Sequence, residues 1–235
     1  MAMNYTTLVA SSATSGSIAN WINKATAQAA ADEILVEAQS WIYRRLRHWK
    51  MISAPTTGSL TINQDYLTSP TDMLEPIVLV TTGQYFQEIQ QRTMQEVIGN
   101  WSFTGTGTNR TPQQPRMFYF DETTMRFDSP PNIAYTYALL YFKQPADLGS
   151  GNQTNFLTVT YPRLVRAACT AAACERAKDS GQGNFDRTYW DQIAQDEIEK
   201  AQAESDRARR GTIAGAIIIG GGGLSNNFPA YVSSW

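Results

Sequence analysis

The single histidine of the chain, His48, stands in the run Arg44-Arg45-Leu46-Arg47-His48-Trp49-Lys50. A histidine can ligate a metal or act as the base of a triad, but both tasks need partners at fixed spacing: a second histidine, a cysteine, a carboxylate. None accompanies His48. The run reads instead as a solvated basic helix end, where cations complement the dipole, or as a contact for an acidic protein surface or for phosphates. Cys169 and Cys174 are five residues apart, which on a helix puts them about 140° apart around the axis. They neither pair within that helix nor share a metal, and they read as buried free thiols of a reducing compartment. Asp128, Glu175 and Glu197 stand in ordinary contexts, and nothing marks a two-carboxylate hydrolase. The run Gly220-Gly221-Gly222-Gly223 is not a phosphate loop, because no Lys-Ser/Thr follows it. The residues give no catalytic constellation, so neither an enzyme nor a cofactor is expected.

The balance of residue types narrows the remaining classes. With 42% hydrophobic and 11% aromatic residues, a chain of 235 residues can bury a core. Its 19 basic and 21 acidic residues leave a net charge of −2. Nucleic-acid-binding proteins usually carry a basic surface. A nucleic-acid module that stacks bases on aromatics remains the alternative class, but such a face normally comes with a basic groove. No signal peptide is evident at the N-terminus. The longest apolar stretch, residues 213–224, is short and glycine-rich, whereas a bilayer span needs about 20 apolar residues.

Several segments must position whatever these side chains do. Residues 1–16 are rich in Ser, Thr and Ala and read as a flexible arm. Ser17 is a credible N-cap for a short helix carrying Ile18, Trp21 and Ile22. A longer helix is expected over residues 26–49, with a stripe of Leu35, Ala38, Ile42 and Trp49 flanked by Ile34, Trp41 and Leu46. From residue 58 the pattern changes to strands. Leu60 and Ile62 alternate with polar neighbours, and Ile77-Val78-Leu79-Val80 reads as a covered strand. Thr93 and Glu96 form a capping-box pattern before a helical turn or two. Residues 102–115 read as an exposed loop, residues 116–120 and 125–127 as a hairpin. Tyr135, Tyr137, Leu139 and Tyr141 alternate with Ala138, Leu140 and Phe142, so that strand is apolar on both faces and should be central.

Helical signals then return. Pro162 suits the first turn of an alanine-rich helix. After the break at Gly181-Gln182-Gly183-Asn184, Asp186 can cap a last helix with an inner stripe of Trp190, Ala194, Ile198, Ala201, Ser205 and Ala208. On its outer face Asp196 with Lys200, and Asp206 with Arg210, are spaced to pair. The expected fold is α+β: a helical bundle of N- and C-terminal helices, a small inserted antiparallel β segment and an extended C-terminal tail. The corresponding parts are an arm at 1–16, N-terminal helices at 17–57, the β segment at 58–150, C-terminal helices at 151–210 and the tail at 211–235.

The order of these pieces resembles the head-to-tail adaptor (connector) proteins of tailed bacteriophages. The opening helix pair of that family is similar to Ile18, Trp21, Ile22 and Asn23, then Ile34, Ala38, Ile42, Arg44, Leu46 and Arg47. Its proline-aspartate step resembles Pro70-Thr71-Asp72-Met73-Leu74-Glu75, here with Thr71 inserted. Pro115, Phe118 and Tyr119, then Met125, Phe127, Pro130 and Pro131, look like its next two strands. The ending Leu139-Leu140-Tyr141-Phe142-Lys143-Gln144-Pro145 resembles its aromatic strand. Leu148, Asn155-Phe156-Leu157 and Pro162 resemble its strongest local signature, and Trp190 its early tryptophan in the last helix. The likeness spans residues 18–210. It departs in a longer loop at 102–115 and a more apolar tail after Gly211. Adaptor subunits of short-tailed phages, the tail tubular protein A type, share the same order.

The resemblance implies a virion structural protein assembled in the host bacterial cytoplasm. Its partners would be the portal protein, a tail or nozzle protein and genomic DNA passing through a channel, with no membrane. The chain would form a ring of about twelve copies beneath the portal, joined by head-to-tail contacts. Ring-interface candidates are Asp196, Lys200, Asp206 and Arg210. Arg44, Arg45 and Arg47 are candidates to face portal or DNA. Ile217, Ile218, Ile219, Phe228, Tyr231 and Trp235 are candidates to dock the tail segment on the portal or a neighbouring copy, with Gly220-Gly221-Gly222-Gly223 as a hinge.

Overall fold

The computed structural model describes residues 3–22, 26–82, 86–101, 110–179 and 187–216. Contacts divide the chain into two compact units, Met1–Lys50 with Pro145–Trp235, and Met51–Gln144.

The first unit opens with helix α1 (Tyr5–Leu8), capped by Asn4, whose side chain accepts the Thr7 N–H at 2.8 Å. The Tyr5 N–H donates to the Gln153 carbonyl at 2.8 Å, and the Thr6 hydroxyl to Gln153 Oε1 at 2.7 Å. The residues expected to form an arm thus carry a helical turn tied to a distant segment. Helix α2 (Ile18–Trp21) starts at Ser17, whose hydroxyl accepts the Asn20 N–H at 3.0 Å, as its position suggests. The expected helix over residues 26–49 is two helices, α3 (Thr26–Ala29) and α4 (Ala31–Arg45). Helix α4 buries Ala31, Ile34, Leu35, Ala38, Gln39, Ile42 and Tyr43, a repeat of three and four. Asp32 and Glu33 in its first turn and Arg44 and Arg45 in its last match the dipole. It ends where Leu46 turns to extended backbone, and Trp49 lies in a 3-10 turn (Trp49–Met51), 44% exposed, outside the helical stripe.

The second unit is a seven-stranded sheet, and it corrects the expectation of a small antiparallel insertion in a helical bundle. The strands are β1 (Thr56–Ser59), β2 (Tyr66–Thr68), β3 (Met73–Thr81), β4 (Gln87–Gln91), β5 (Met117–Asp121), β6 (Thr124–Phe127) and β7 (Thr136–Lys143). Their order is β1-β7-β3-β4-β5-β6-β2, and β4 pairs with β5 in parallel, which makes the sheet mixed. A parallel pair needs a crossover, and helix α5 (Met94–Gly99) lies in that connection. The Thr93–Glu96 capping box of α5 is formed in both directions. Hydrogen bonds from the Thr93 backbone and side chain hold the exposed Glu96 carboxyl below its ordinary value.

Within the sheet, β7 lies between β1 and β3. Leu79, Phe118, Met125, Phe127 and Leu139 form the centre of its core. Pro76 stands in an interior strand, beside a register shift against β7, where a missing N–H is tolerated. Leu60 is buried just after β1, whereas Ile62 is half exposed beyond the strand. Asp128 is buried and accepts the Arg116 and Met117 N–H groups at 3.1 and 3.3 Å, a structural use of a carboxylate. Arg110 pairs with Asp65, donates to the Phe127 carbonyl at 2.9 Å and lies 4.3 Å over the Trp101 ring.

The chain then completes the first unit with α6 (Phe156–Thr160), α7 (Pro162–Asp179) and α8 (Arg187–Ala216). Asn155 and Thr158 form a reciprocal cap at the start of α6, so the Asn-Phe-Leu run is a helix-start device. Its Asn155 Oδ1 accepts the Leu157 and Thr158 N–H groups, both at 3.1 Å. Helix α7 is buried at every position from Leu164 to Cys174 except Arg166. Helix α8 turns Ala194, Ile198, Ala201 and Ser205 inward and continues through residues 211–216, which the expected extended tail had included. Asp186 and the expected break at 181–184 lie outside the described residues.

One substitution tests the sheet closely. A Cβ at Gly58 in β1 would lie 2.7 Å from the Tyr137 hydroxyl and 2.9 Å from its ring. Gly58→Ala should destabilise the protein by about 1–3 kcal/mol in chemical denaturation, and adding Tyr137→Leu should recover part of that loss. Equal stability of wild type and Gly58→Ala would show that β1 does not sit against Tyr137.

Candidate assembly interface

The end of α4 is where the basic run of the sequence lies, and its arginines are engaged locally. Arg47 Nη1 donates to the Tyr43 and Leu46 carbonyls at 2.9 and 3.0 Å, satisfying groups that a helix C-terminus leaves unpaired. Arg45 donates to the Trp41 carbonyl at 3.4 Å and lies 4.3 Å over the Trp41 ring. Arg44 is exposed. Helix α8 completes the same end: Gln202 Nε2 donates to the Arg45 carbonyl at 2.8 Å, and the Ser205 hydroxyl accepts the Trp49 N–H at 2.9 Å.

His48 is buried, against the solvated position its basic neighbours imply. The Lys50 N–H donates to Nδ1 at 3.2 Å, so the ring proton belongs on Nε2, 3.0 Å from the Tyr161 hydroxyl. Tyr161 in turn donates to Glu204 Oε2 at 2.9 Å. The ring stacks on Phe156 with centroids 5.8 Å apart. This chain of contacts joins the end of α4, the α6–α7 corner and α8. Tyr161 is the central member of this relay, and its terminal groups lock helices together.

Burial raises the Tyr161 phenol pKa, with the Glu204 hydrogen bond adding to it. Burial likewise raises Tyr43, helped by the nearby Asp147 carboxylate. Cys169 and Cys174 are buried on α7 and form no disulfide, and burial pushes the Cys169 thiol up to about 12. Such a thiol is chemically inert at neutral pH. Among the described residues no cluster of three or more His, Cys, Asp or Glu is placed to hold a metal ion, and no helix is long and apolar enough to cross a membrane.

The outer surface of α8 carries the charged candidates. Asp196, Lys200 and Asp206 are exposed, and the side chain of Arg210 lies outside the described residues. The expected Asp196–Lys200 pairing is not formed: Lys200 reaches Glu197 at 2.8 Å, and Arg163 from α7 approaches the same carboxylate at 3.6 Å. Arg187 bridges Glu175 on α7 and Asp191 on α8. Arg176 joins α7 to Glu33 on α4 at 2.5 Å. Near the start of α8 a groove is lined by Arg163, Arg166, Ala167, Tyr189, Trp190 and Ile193. The spacing of charges in the sequence gave no sign of it, because its two sides come from different helices. Ile217, Ile218, Ile219, Phe228, Tyr231 and Trp235 lie outside the described residues.

A helical unit locked by buried side chains, a mixed sheet unit and charge displayed on outer surfaces make up the described residues. The chain belongs to the SU10 adaptor protein family, whose family model matches residues 3–215. That membership is consistent with a phage head–tail adaptor and a virion component. No curated protein matches the sequence.

The locked cluster gives a pH prediction. Burial favours the neutral phenols of Tyr43 and Tyr161, so the folded protein keeps those protons to higher pH than the unfolded chain. The stability they contribute is complete below the ordinary tyrosine value of about 10 and declines as pH rises above it. Tyr161→Phe should cost about 1–2 kcal/mol at neutral pH, by leaving the His48 Nε2–H unpaired, and should make the alkaline decline shallower. Denaturant titrations from neutral to strongly alkaline pH would show both effects; an unchanged profile in the variant would remove Tyr161 from this role.

Proposed function

We propose that this adaptor forms a ring of about twelve copies beneath the portal, continuing the DNA channel and offering a platform for the tail. The observation that carries the reading is the family match across residues 3–215, supported by a helical unit whose core is closed and whose charge is outward. The net charge of −2 suits a wall past which DNA slides better than a surface that grips it. The subunit type is that of the short-tailed phage adaptors, the tail tubular protein A type. It acts in the virion after assembly in the host cytoplasm and has no catalytic activity.

In this reading the outer face of α8, with Asp196, Lys200, Asp206 and Arg210, meets a neighbouring copy. Arg44, Arg45 and Arg47 face portal or DNA, with Arg44 the best placed because the other two cap α4. The C-terminal residues Ile217, Ile218, Ile219, Phe228, Tyr231 and Trp235 dock on the portal, with a neighbouring copy as the second choice. So much apolar surface would otherwise be an aggregation liability.

Particles made without this protein should package DNA and then lose it or fail to gain tails; normal tailed particles would end the proposal. Ring formation should weaken as salt rises from low to molar concentration, because exposed ion pairs are screened. Assembly indifferent to salt would place the contact on an apolar face instead. Deleting residues 217–235 should leave a folded protein by circular dichroism that no longer attaches stably to portal rings. Full attachment after truncation would show that the segment is not the clamp.

A further inference from the structure

The groove near the start of α8 has an unused capacity for negative charge. Arg163 is 69% exposed in its side chain, and its ion pair to Glu197, the one it makes among the described residues, is long at 3.6 Å. Arg166 forms no ion pair among the described residues; it lies 5.5 Å over the Trp21 ring, which leaves the donors at its edge available. Tyr189, 55% exposed, packs edge-on against Trp190 with centroids 5.4 Å apart and supplies an apolar wall. Ala167 forms the floor with the smallest side chain available there. Two guanidinium groups beside an aromatic wall are suited to carboxylates, which they bind through paired N–H donors.

The sheet unit carries a matching feature. The β5–β6 hairpin turns at Asp121, Glu122 and Thr123, all exposed. Glu122 takes a left-handed backbone conformation, φ 37°, which makes the turn tight and presents the two acids at its tip. Among the described residues these carboxylates have no ion-pair partner, which is also true of the exposed Asp196 and Glu199, but here two acids stand side by side at the tip of a tight turn. The paired acidic tip belongs to the sheet unit and the paired basic groove to the helical unit, two unlike and complementary features of one chain, which is what a head-to-tail contact between identical copies requires.

We infer that the Arg163–Arg166 groove receives the Asp121–Glu122 hairpin tip of a second copy. The inference rests on the ring reading above but uses residues other than the outer face of α8. It adds a contact that sets the direction of the ring, since groove and tip are not interchangeable.

The test uses two charge-reversed full-length variants, Arg163→Glu/Arg166→Glu and Asp121→Lys/Glu122→Lys, each checked for a wild-type circular dichroism spectrum. Each alone should need a protein concentration more than about tenfold higher to form rings, read by sedimentation and electron microscopy with portal present. An equimolar mixture should assemble, because alternating copies place Lys tips in Glu grooves and acidic tips in Arg grooves. Rescue only when all four changes share one chain would put the contact within a copy and overturn the inference. So would rings formed normally by both variants, or a groove variant that loses only portal attachment or only DNA retention. The neutral pair Arg163→Gln/Arg166→Gln keeps the test decisive if a reversed variant does not fold. Its rings should weaken less than those of the reversed pair, and unchanged rings would again overturn the inference. Failure of the wild-type protein to form any ring would instead remove the ring reading itself.

Discussion

The closure of α7 is the constraint on which the helical unit depends. A helix presents its residues around a full circle every 3.6 positions, and α7 is buried at ten of eleven successive positions from Leu164 to Cys174. It is packed against α2, α4, α6 and α8 at once. Small side chains let neighbours approach such a helix closely, and five of the ten buried positions, Ala167, Ala168, Ala171, Ala172 and Ala173, are alanines. Alanine gives up no rotamer freedom on burial, so the core is assembled at little entropic cost. The same closeness makes larger residues at the alanine positions costly, because overpacked cores are destabilised. The single exposed position in that run, Arg166, marks where α7 reaches solvent and where the groove forms.

Locking at the end of α4 follows from that closure. With α7 and α8 held against each other, Gln202 meets the last turn of α4, Ser205 the 3-10 turn that follows it, and Glu204 reaches Tyr161. His48 is then enclosed by Phe156 and Tyr161. Its polar atoms are used by partners on either side, which is the condition for burying an imidazole at low cost. The arginines around it serve the backbone first. This changes the meaning of the basic run from a solvent-facing patch to a helix terminus whose Arg45 and Arg47 also serve backbone carbonyls, with Arg44 and Arg45 exposed.

The sequence was legible where structure is local and periodic. Ser17 and Thr93 marked helix starts, and Ala194, Ile198, Ala201 and Ser205 marked the inner face of α8, because caps and stripes depend on near neighbours. The size and order of the sheet were not legible. Strand β4, Gln-Glu-Ile-Gln-Gln, holds one apolar residue and gives no alternation to detect. The helix between β4 and β5 was visible, but its role as a crossover depends on a pairing between strands far apart in sequence. His48 misled for the same reason: the tyrosine that buries it is 113 residues away. Lys200 had carboxylates at two helical spacings, and Arg163 on a second helix accompanies the one that was chosen. The order of weak motifs nevertheless identified the adaptor family, because that order survives even where individual contacts cannot be read.

The sheet order carries a consequence for how the protein is made. Strand β1 pairs with β7 and β2 with β6, so both edges wait for residues from the far end of the unit. The helical unit likewise draws α4 and α7 from opposite sides of the intervening sheet in the sequence. Pairings of such long sequence separation form slowly, because loop closure must precede the contacts that reward it. On the ribosome, neither unit can be completed from its first half. Residues 31–45 emerge with an apolar stripe and no α7 to cover it until most of the chain has been synthesised. The newly made chain is therefore most exposed to misassociation before α7 and β7 have been made to cover its earlier elements.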